Sequence, residues 1–223
     1  MKVLLLLLSL SQVFNTGVDL AEKASFEEAE KIFLEIYQEC KCSGAAYNLG
    51  WIKYKKGEYG EAIYWWRIAA LLGDRDAVFN IEVVKRKLLI TQHEKALTPP
   101  SHLLCNFSAF LTSFFLVILF LYLGLRRQEP SKIVVLLFCL LIAIFATLSF
   151  FTYKSIKHPN IAVVVKNTRA YSQPSKVSIA FEKLEPGKEY KILKETEDWV
   201  ALKLEKGVIG WVRREALKLI KSL

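Results

Sequence analysis

Two apolar runs decide the fold of this chain, LLCNFSAFLTSFFLVILFLYLGL at residues 103–125 and IVVLLFCLLIAIFATLSFFTY at residues 133–153. Each run holds about 20 almost uncharged residues, which is enough for a helix to cross a hydrocarbon core about 30 Å thick. Only RRQEPSK at residues 126–132 separates the runs, and a linker of that length cannot traverse a membrane. We therefore predict a hairpin of two transmembrane helices, with the segments before and after it facing the same compartment.

Outside the hairpin and a short leader, the 223-residue chain has two small pieces, residues 18–98 and 158–223. Each is small for an independent core and needs repeat packing or a compact barrel. The net charge of +9 is uneven: residues 18–98 hold 12 Lys and Arg against 13 Asp and Glu, whereas residues 158–223 hold 13 against 8. A basic excess favours lipid head groups, an acidic wall polymer or an acidic protein, unless it is only a solvated surface. No recognition motif accompanies it, so nucleic-acid binding is not expected.

The leader, residues 1–17, has the layout of a secretory signal. A charged start precedes an apolar stretch at residues 3–10, and Ser9 and Ser11 have the −3/−1 spacing of a cleavage site. If the leader directs export, both soluble segments are exported and the basic loop at 126–132 stays in the cytoplasm. The positive charge of the loop agrees with this location, because cytoplasmic loops of membrane proteins carry an excess of Lys and Arg.

The segment 45–74 alternates small and large residues as a packed helical pair would. Small residues at Gly50, Ala62 and Ala69 fall where two antiparallel helices must approach closely, and Gly57 falls at the turn, where a left-handed backbone is easily adopted. This pattern resembles the tetratricopeptide repeat, with Lys53 in place of the usual aromatic residue and Asp74 in place of the usual proline. Partial repeats are expected on both sides: a helix from Phe26, and a capping helix at 76–89 with the apolar stripe Val78, Phe79, Ile81 and Val84.

The tetratricopeptide resemblance implies a concave groove that holds an extended peptide or a partner helix. In this interpretation the residues that face the groove are Tyr47, Asn48, Trp51, Tyr54 and Lys55. The alternative is that these aromatic side chains pack against the neighbouring helix.

Residues 158–223 read as short strands between tight turns. We predict strands at 162–165, 189–194, 199–204 and 208–212, an irregular loop at 169–175, and a turn at 185–188. The order Arg-x-x-Pro-Ser, Leu-x-x-Gly, Trp-x-x-Leu, Gly-x-x-Gly-Trp-Val resembles the bacterial SH3-like domains and implies a small all-β barrel. Trp199 and Trp211 would form the barrel core or, alternatively, would join Arg169 and Tyr171 in a cleft for a peptide or a cell-wall stem.

No residue constellation in the sequence indicates catalysis. Cys40 and Cys42 are too closely spaced for a usual zinc or dithiol motif, so we expect free thiols or simple burial at a helix end. His93, His102 and His158 belong to no metal or triad pattern, and no phosphate-binding loop or nucleophile elbow is found. The apolar runs lack internal charged relay residues. The sequence therefore predicts a protein that is not an enzyme and that has no cofactor and no metal site.

The order of segments places the whole chain in a recognisable class. A leader, a tetratricopeptide-like segment, a membrane hairpin and an SH3-like tail, together with NLG at 48–50 and DAVFNI at 76–81, resemble the BatE family of bacterial aerotolerance operons. The resemblance implies a multidomain protein of the cell envelope; together with the leader it leads us to expect the bacterial inner membrane, with both soluble domains outside the cytoplasm. Its expected role is a non-catalytic scaffold, with von Willebrand A-type membrane proteins and a MoxR-type ATPase as partners and a possible link to oxidative or envelope stress. The alternatives are a cell-wall-binding or sensing protein, with peptidoglycan or a peptide as ligand, and an accessory subunit of an envelope enzyme.

Overall fold

The computed structural model describes residues 2–90, 102–125, 132–157 and 160–221. These residues form two compact units. The first, here called the head, combines described residues from before and after the apolar runs; the second, the hairpin, contains the runs themselves. The predicted loop at 126–132, apart from Lys132, lies outside the described residues, as do His93 and His158 and the side chains of residues 2–10 and Cys105.

Five helices form the first part of the head, and consecutive helices pack against each other. Helix α1 runs through the predicted leader, and its second half belongs to the core: Phe14 meets Phe33 edge to face with ring centroids 5.3 Å apart, and Gly17 and Ala21 are buried. The helices are α1 (Lys2–Glu22), α2 (Phe26–Cys40), α3 (Ser43–Lys55), α4 (Tyr59–Leu71) and α5 (Arg75–Lys87).

The close approach of α3 and α4 confirms the predicted alternation of small and large residues. A Cβ atom added to Gly50 would lie 2.5 Å from Cδ1 of Trp66, so only glycine lets the indole lie against α3. Gly57 has the positive φ of +79° expected at the intervening turn. Lys53, at the position where an aromatic residue is usual, instead forms ion pairs with Glu30 at 2.7 Å and with Glu58 at 2.8 Å.

The apolar stripe predicted for α5 is partly wrong. Ile81 and Val84 are buried, but Phe79 is 68% exposed, because the buried face follows the helical spacing Ala77, Ile81, Val84 and Lys85. Asp74, the residue that replaces the usual proline, is the N-cap of α5, and its carboxylate accepts a hydrogen bond from the Ala77 N–H at 2.9 Å.

The expectation of free thiols at Cys40 and Cys42 is also wrong. α2 ends at Cys40, and Lys41 has a left-handed backbone with φ +48° before α3 begins. This tight turn brings the two Cα atoms to 5.2 Å, within the usual range for a disulfide, and the two sulfur atoms are bonded.

The hairpin consists of α6 (His102–Leu125) and α7 (Lys132–Lys157), which pack antiparallel. Phe115 of α6 stacks on Phe145 of α7 with centroids 5.6 Å apart, and Tyr122 lies near Phe138. Both helices are long and apolar enough to cross a membrane, with mean hydropathy 2.0 over Asn106–Leu123 and 3.0 over Lys132–Lys154. Their outward side chains are exposed, as expected for helices whose neighbours are lipid rather than protein.

The second part of the head is a seven-stranded antiparallel sheet with the strand order β3-β2-β6-β5-β4-β1-β7. The strands are β1 (Ile161–Val164), β2 (Thr168–Tyr171), β3 (Ala180–Leu184), β4 (Glu189–Glu195), β5 (Trp199–Lys203), β6 (Ile209–Arg213) and β7 (Leu217–Ile220), with 3-10 turns at Glu205–Gly207 and Arg214–Ala216.

The sheet corrects two sequence expectations. Residues 169–171 are part of β2 rather than of an irregular loop, because Ala170 is buried in the core while Arg169 and Tyr171 face the opposite way. The sheet is also not closed into a barrel: within residues 160–221, β3 and β7 are its two edges. Closure would require these edges to pair, but Ile220 of the β7 edge packs into the helical core instead.

The helices and the sheet share a core through β1. All four of its residues are buried, and they alternate: Ala162 and Val164 belong to the sheet core, whereas Val163 belongs to the helical core. A Cβ atom added to Gly60 at the start of α4 would lie 2.6 Å from the Val164 carbonyl oxygen, so the two backbones are almost in contact. The parts before and after the apolar runs therefore fold together as one body.

Candidate functional site

The predicted groove residues share one face of α3, at spacings of three and four residues. Two of them are tied down by hydrogen bonds. The hydroxyl of Tyr47 accepts a hydrogen bond from Asn80 Nδ2 of α5 at 3.1 Å. Asn48 donates from Nδ2 to the Gly44 carbonyl of its own helix at 2.9 Å. These two side chains therefore fix the geometry of the face more than they offer free polar groups.

Tyr54 packs as the alternative interpretation predicts. Its ring lies 5.8 Å from those of both Tyr59 and Trp66. The Lys87 ammonium of α5 lies 5.4 Å from the Tyr54 centroid and 4.8 Å from that of Tyr59, which is cation–π distance. Tyr54 is thus one wall of an aromatic cluster that carries a cation at its rim.

Lys55 is exposed, whereas the other four predicted groove residues are half-buried. Trp51 is half-buried and meets Phe26 edge to face at 6.1 Å, and the Lys55 ammonium lies 5.0 Å from the indole centroid. On α5, Val83 is 42% exposed and lies between Asn80 and Lys87 at helical spacing. We call this set the α3–α5 surface: Tyr47, Trp51, Tyr54 and Lys55 of α3 with Asn80, Val83 and Lys87 of α5.

The sheet brings its predicted aromatic residues together on the face opposite its core. Val200 and Val212 point into the core, so Trp199 and Trp211 point away from it by strand alternation. Tyr171 is the register partner of Trp211, and its ring meets that of Trp199 edge to face at 5.4 Å. Trp199 is only 7% exposed, whereas Tyr171 and Trp211 are half-buried. The three rings therefore lie together outside the sheet core, with Trp199 covered by its neighbours.

Arg213 is a member of this cluster that the sequence reasoning missed. Its guanidinium carbon lies 4.9 Å from the Trp199 centroid, and it is the cross-strand partner of Trp199. Its position two residues after Trp211, on the same face of a strand, could have identified it. Arg169 is exposed on β2, two residues before Tyr171. We call Tyr171, Trp199, Trp211 and Arg213 the sheet aromatic cluster.

A buried ion cluster joins α4, α5 and β4. Arg67 donates to the Glu189 carboxylate through both Nε and Nη2, the latter at 2.6 Å, and Lys85 Nζ donates to Oε2 at 2.7 Å. All three side chains are at least nine-tenths buried. Burial alone would raise the pKa of Glu189, but the charges and hydrogen bonds of Arg67 and Lys85 outweigh it and lower that pKa to about 2. The same carboxylate raises the pKa of Arg67 against the opposing effect of burial.

The sequence reasoning missed this cluster, although each member carries a signal. Arg67 interrupts the apolar stretch of α4, and Lys85 lies on the buried stripe of α5. A charged side chain on a buried face requires a partner of opposite charge. The partner could not be identified, because Glu189 is 122 positions from Arg67 in the chain.

A cleft of about 680 Å³ opens between the α3–α4 turn and the sheet. Its walls carry both signs of charge, with Glu58, Glu61 and Glu185 near Lys166 and Lys183. Among the described residues, no group of three or more His, Cys, Asp or Glu side chains is placed to hold a metal ion.

No family model and no curated protein matches the chain.

Proposed function

We propose that this protein is a membrane-anchored, non-catalytic scaffold of the bacterial cell envelope, related to the BatE family. In this proposal α1 to α5 are tetratricopeptide-like repeats and the sheet is an SH3-like domain. The observation that carries the proposal is the ion cluster of Arg67, Lys85 and Glu189, which joins residues on both sides of the hairpin in a single folded head. Such a head can form only if both flanking segments emerge on the same side of the membrane.

The anchor is assigned to α6 and α7. Their exposed apolar side chains would be costly in water and are favourable in lipid. We propose the inner membrane as the location, with the head outside the cytoplasm and the short loop at 126–132 inside, because the leader favours export of the head. The basic residues of the loop agree with this orientation but do not decide it, since Lys85, Arg86, Lys87, Lys154 and Lys157 lie at the opposite ends of the two spans.

The α3–α5 surface is the proposed partner site. It combines half-buried aromatic rings with the ammonium groups of Lys55 and Lys87, which lie over those rings. Aromatic and cationic groups together suit a helix or extended peptide that carries apolar and acidic side chains. The partners that the BatE resemblance suggests, von Willebrand A-type membrane proteins and a MoxR-type ATPase complex, are candidates.

Affinity capture with a surface variant tests this proposal. The full-length protein in mild detergent should retain partner proteins that a Lys55→Glu/Val83→Asp variant loses by at least about tenfold, because the variant places negative charge on the binding face. A matched control is Val177→Asp, since Val177 is 96% exposed in the loop before β3. Equal capture by both variants and the parent, identified by mass spectrometry, would exclude the α3–α5 surface as the partner site.

The sheet aromatic cluster favours a second candidate function, binding to a cell-wall component. The half-buried Tyr171 and Trp211 lie around the covered Trp199 and next to Arg213, and in this proposal they bind the sugar or carboxylate groups of a peptidoglycan stem. Deletion of residues 161–223 cannot distinguish the two functions cleanly, because Val163 and Ile220 belong to the helical core.

Point substitutions in the sheet distinguish the two candidates. A Tyr171→Ala/Arg213→Ala variant should abolish pelleting with purified peptidoglycan if wall binding is the function, and should leave partner capture unchanged if the scaffold proposal is right. Lys203→Ala, at an exposed position of β5, is the control for lost basic charge. Wall binding that survives in the double variant would exclude the sheet aromatic cluster as the wall site.

A further inference from the structure

The disulfide between Cys40 and Cys42 lies at the surface, at the junction of α2 and α3. Cys40 is exposed and Cys42 is half-buried, so solvent reaches the bond chiefly from the Cys40 side. The bond closes a loop of only three residues, since the sequence separation is 2.

Contacts other than this disulfide hold the two helices together at the junction. The stabilisation that a disulfide provides through chain entropy grows with the length of the loop it closes, so a three-residue loop contributes little. The junction is held by other contacts: Ile36, Ala45 and Ala46 are fully or almost fully buried on either side, and Tyr37 meets Trp65 edge to face at 5.2 Å. The turn that carries the bond also has a cost, because Lys41 adopts a left-handed backbone that is unfavourable for a residue other than glycine. This cost offsets part of the stabilisation that the bond provides.

The two sulfur atoms lie in opposite electrostatic environments. Cys42 is the N-cap of the 13-residue α3, whose first turn contains no acidic residue, so the positive end of the helix dipole favours a thiolate there. Cys40 is the last residue of α2, whose last turn contains no basic residue, so the negative end of that helix disfavours a thiolate. Cys42 is therefore the better leaving group, and Cys40 is the more accessible point of attack.

We propose that Cys40 and Cys42 form a redox-active pair that exchanges its disulfide with the thiols of a partner protein. A partner thiolate attacks Sγ of Cys40, the Cys40–Cys42 bond breaks, and Cys42 leaves as a thiolate at the N-terminus of α3. A second thiolate of the partner then attacks the partner's sulfur atom in the mixed disulfide, and Cys40 leaves as a thiolate that takes a proton from solvent. Two electrons pass from the partner dithiol to this protein. A second protein that carries a disulfide re-forms the Cys40–Cys42 bond by the reverse steps and is itself reduced to a dithiol.

A thiol-trapping experiment on the full-length protein tests this inference. The parent is a Cys105→Ser/Cys139→Ser variant in detergent, which leaves only the pair of interest. The oxidised protein is treated with reduced glutathione, quenched with N-ethylmaleimide and digested with trypsin, which cleaves after Lys41 and so places the two cysteines in separate peptides. We expect the glutathione adduct on the Cys40 peptide to exceed that on the Cys42 peptide by about tenfold, because the better leaving group departs from the more accessible sulfur.

Two results would overturn the inference. A pair that resists glutathione in the folded protein, but is reduced once the protein is denatured, would be a protected structural disulfide. An adduct found mainly on Cys42 would contradict the assigned order of attack. Adding Cys40→Ser/Cys42→Ser to the same parent separates a redox role from a structural one: the unfolding midpoint in urea should fall by no more than the small entropy term of a three-residue loop allows, and a drop well beyond it would identify a structural bond. None of these readouts depends on the proposed scaffold role.

Discussion

Glu189 has an unusual position for a carboxylate, fully buried between Arg67 and Lys85. A buried charge is tolerated only when partners of opposite sign and good hydrogen-bond geometry compensate for the loss of water. The two cations come from α4 and α5, whereas the carboxylate comes from β4, so the cluster also determines how the sheet is oriented on the helices. Removing the carboxylate leaves two buried cations without compensation.

Glu189→Gln should therefore destabilise the head by about 3–5 kcal/mol. The control is Glu195→Gln on the same strand, where the ion pairs with Arg214 and Lys221 are exposed and the expected loss is about 0–1 kcal/mol. Urea unfolding followed by tryptophan fluorescence measures both, because all five tryptophans belong to the head. Equal losses for the two variants would contradict the role assigned to the cluster.

The same carboxylate predicts an acid dependence of stability. Because the folded-state pKa of Glu189 is lowered from 4.5 to about 2, its stabilisation is fully present above pH 4.5 and is lost as the pH falls toward 2. The difference in unfolding free energy between the wild-type protein and Glu189→Gln should therefore shrink over that interval. A difference that stays constant down to pH 2 would show that ionised Glu189 does not stabilise the head.

At the scale of elements, the contact between α3 and α4 depends on one glycine. Gly50→Ala would place a methyl group 2.5 Å from the Trp66 ring, so we expect a loss of about 1–3 kcal/mol from overpacking. Gly44→Ala on the same helix is the control, since its added Cβ would lie 3.5 Å from Phe14, an ordinary contact distance. Alanine also has the better helix propensity, so Gly44→Ala should be neutral or slightly stabilising. Urea unfolding should rank the two in that order, and the reverse ranking would contradict the packing described.

Sequence reasoning predicted those elements whose local pattern is compatible with only one kind of structure. Runs of about 20 apolar residues indicated α6 and α7, and small residues such as Gly50 indicated the close approach of α3 and α4, although not that Trp66 would be the contact. The stripe of α5 was misassigned because Val78 and Phe79 are adjacent to buried positions in sequence but lie on a different face of the helix. β2 was interpreted as a loop because the turn-forming residues at 172–175 follow it directly.

Long-range contacts were the part that sequence reasoning could not supply. β1 is a continuous apolar run, which indicates that both faces of the strand are covered. Nothing in this run says that Val163 packs on the helices and Val164 within the sheet. The Cys40–Cys42 bond required the left-handed backbone at Lys41, which a non-glycine residue rarely adopts and a sequence does not reveal. In the candidate site, Arg213 follows from strand alternation, whereas the pairing of Glu189 with Arg67 depends on the tertiary fold.

At the scale of the whole molecule, the helices and the sheet depend on each other. Val163 and Ile220 complete the helical core, and Gly187 has φ +95° in a turn where an added Cβ would lie 2.8 Å from Cδ1 of Ile63. If the hairpin spans a membrane, as we propose, a chain that leaves the head, forms the hairpin and returns to the head must have both flanking segments on one side of that membrane. This arrangement is the central claim on which the scaffold proposal depends.

Disulfide cross-linking across the head tests that claim most directly. In a background with all four natural cysteines replaced by serine, Glu61→Cys is combined with Lys218→Cys, since Glu61 of α4 and Lys218 of β7 form an ion pair at 3.7 Å. Glu61→Cys with Lys203→Cys is the control pair, because β5 lies three strands from β7, roughly 14 Å at the usual strand spacing. After oxidation in native membranes and cleavage between the two positions, we expect the Glu61→Cys/Lys218→Cys fragments to stay joined and the control fragments to separate. Separation of both pairs, with the two fragments accessible from opposite sides of the membrane, would contradict the single head.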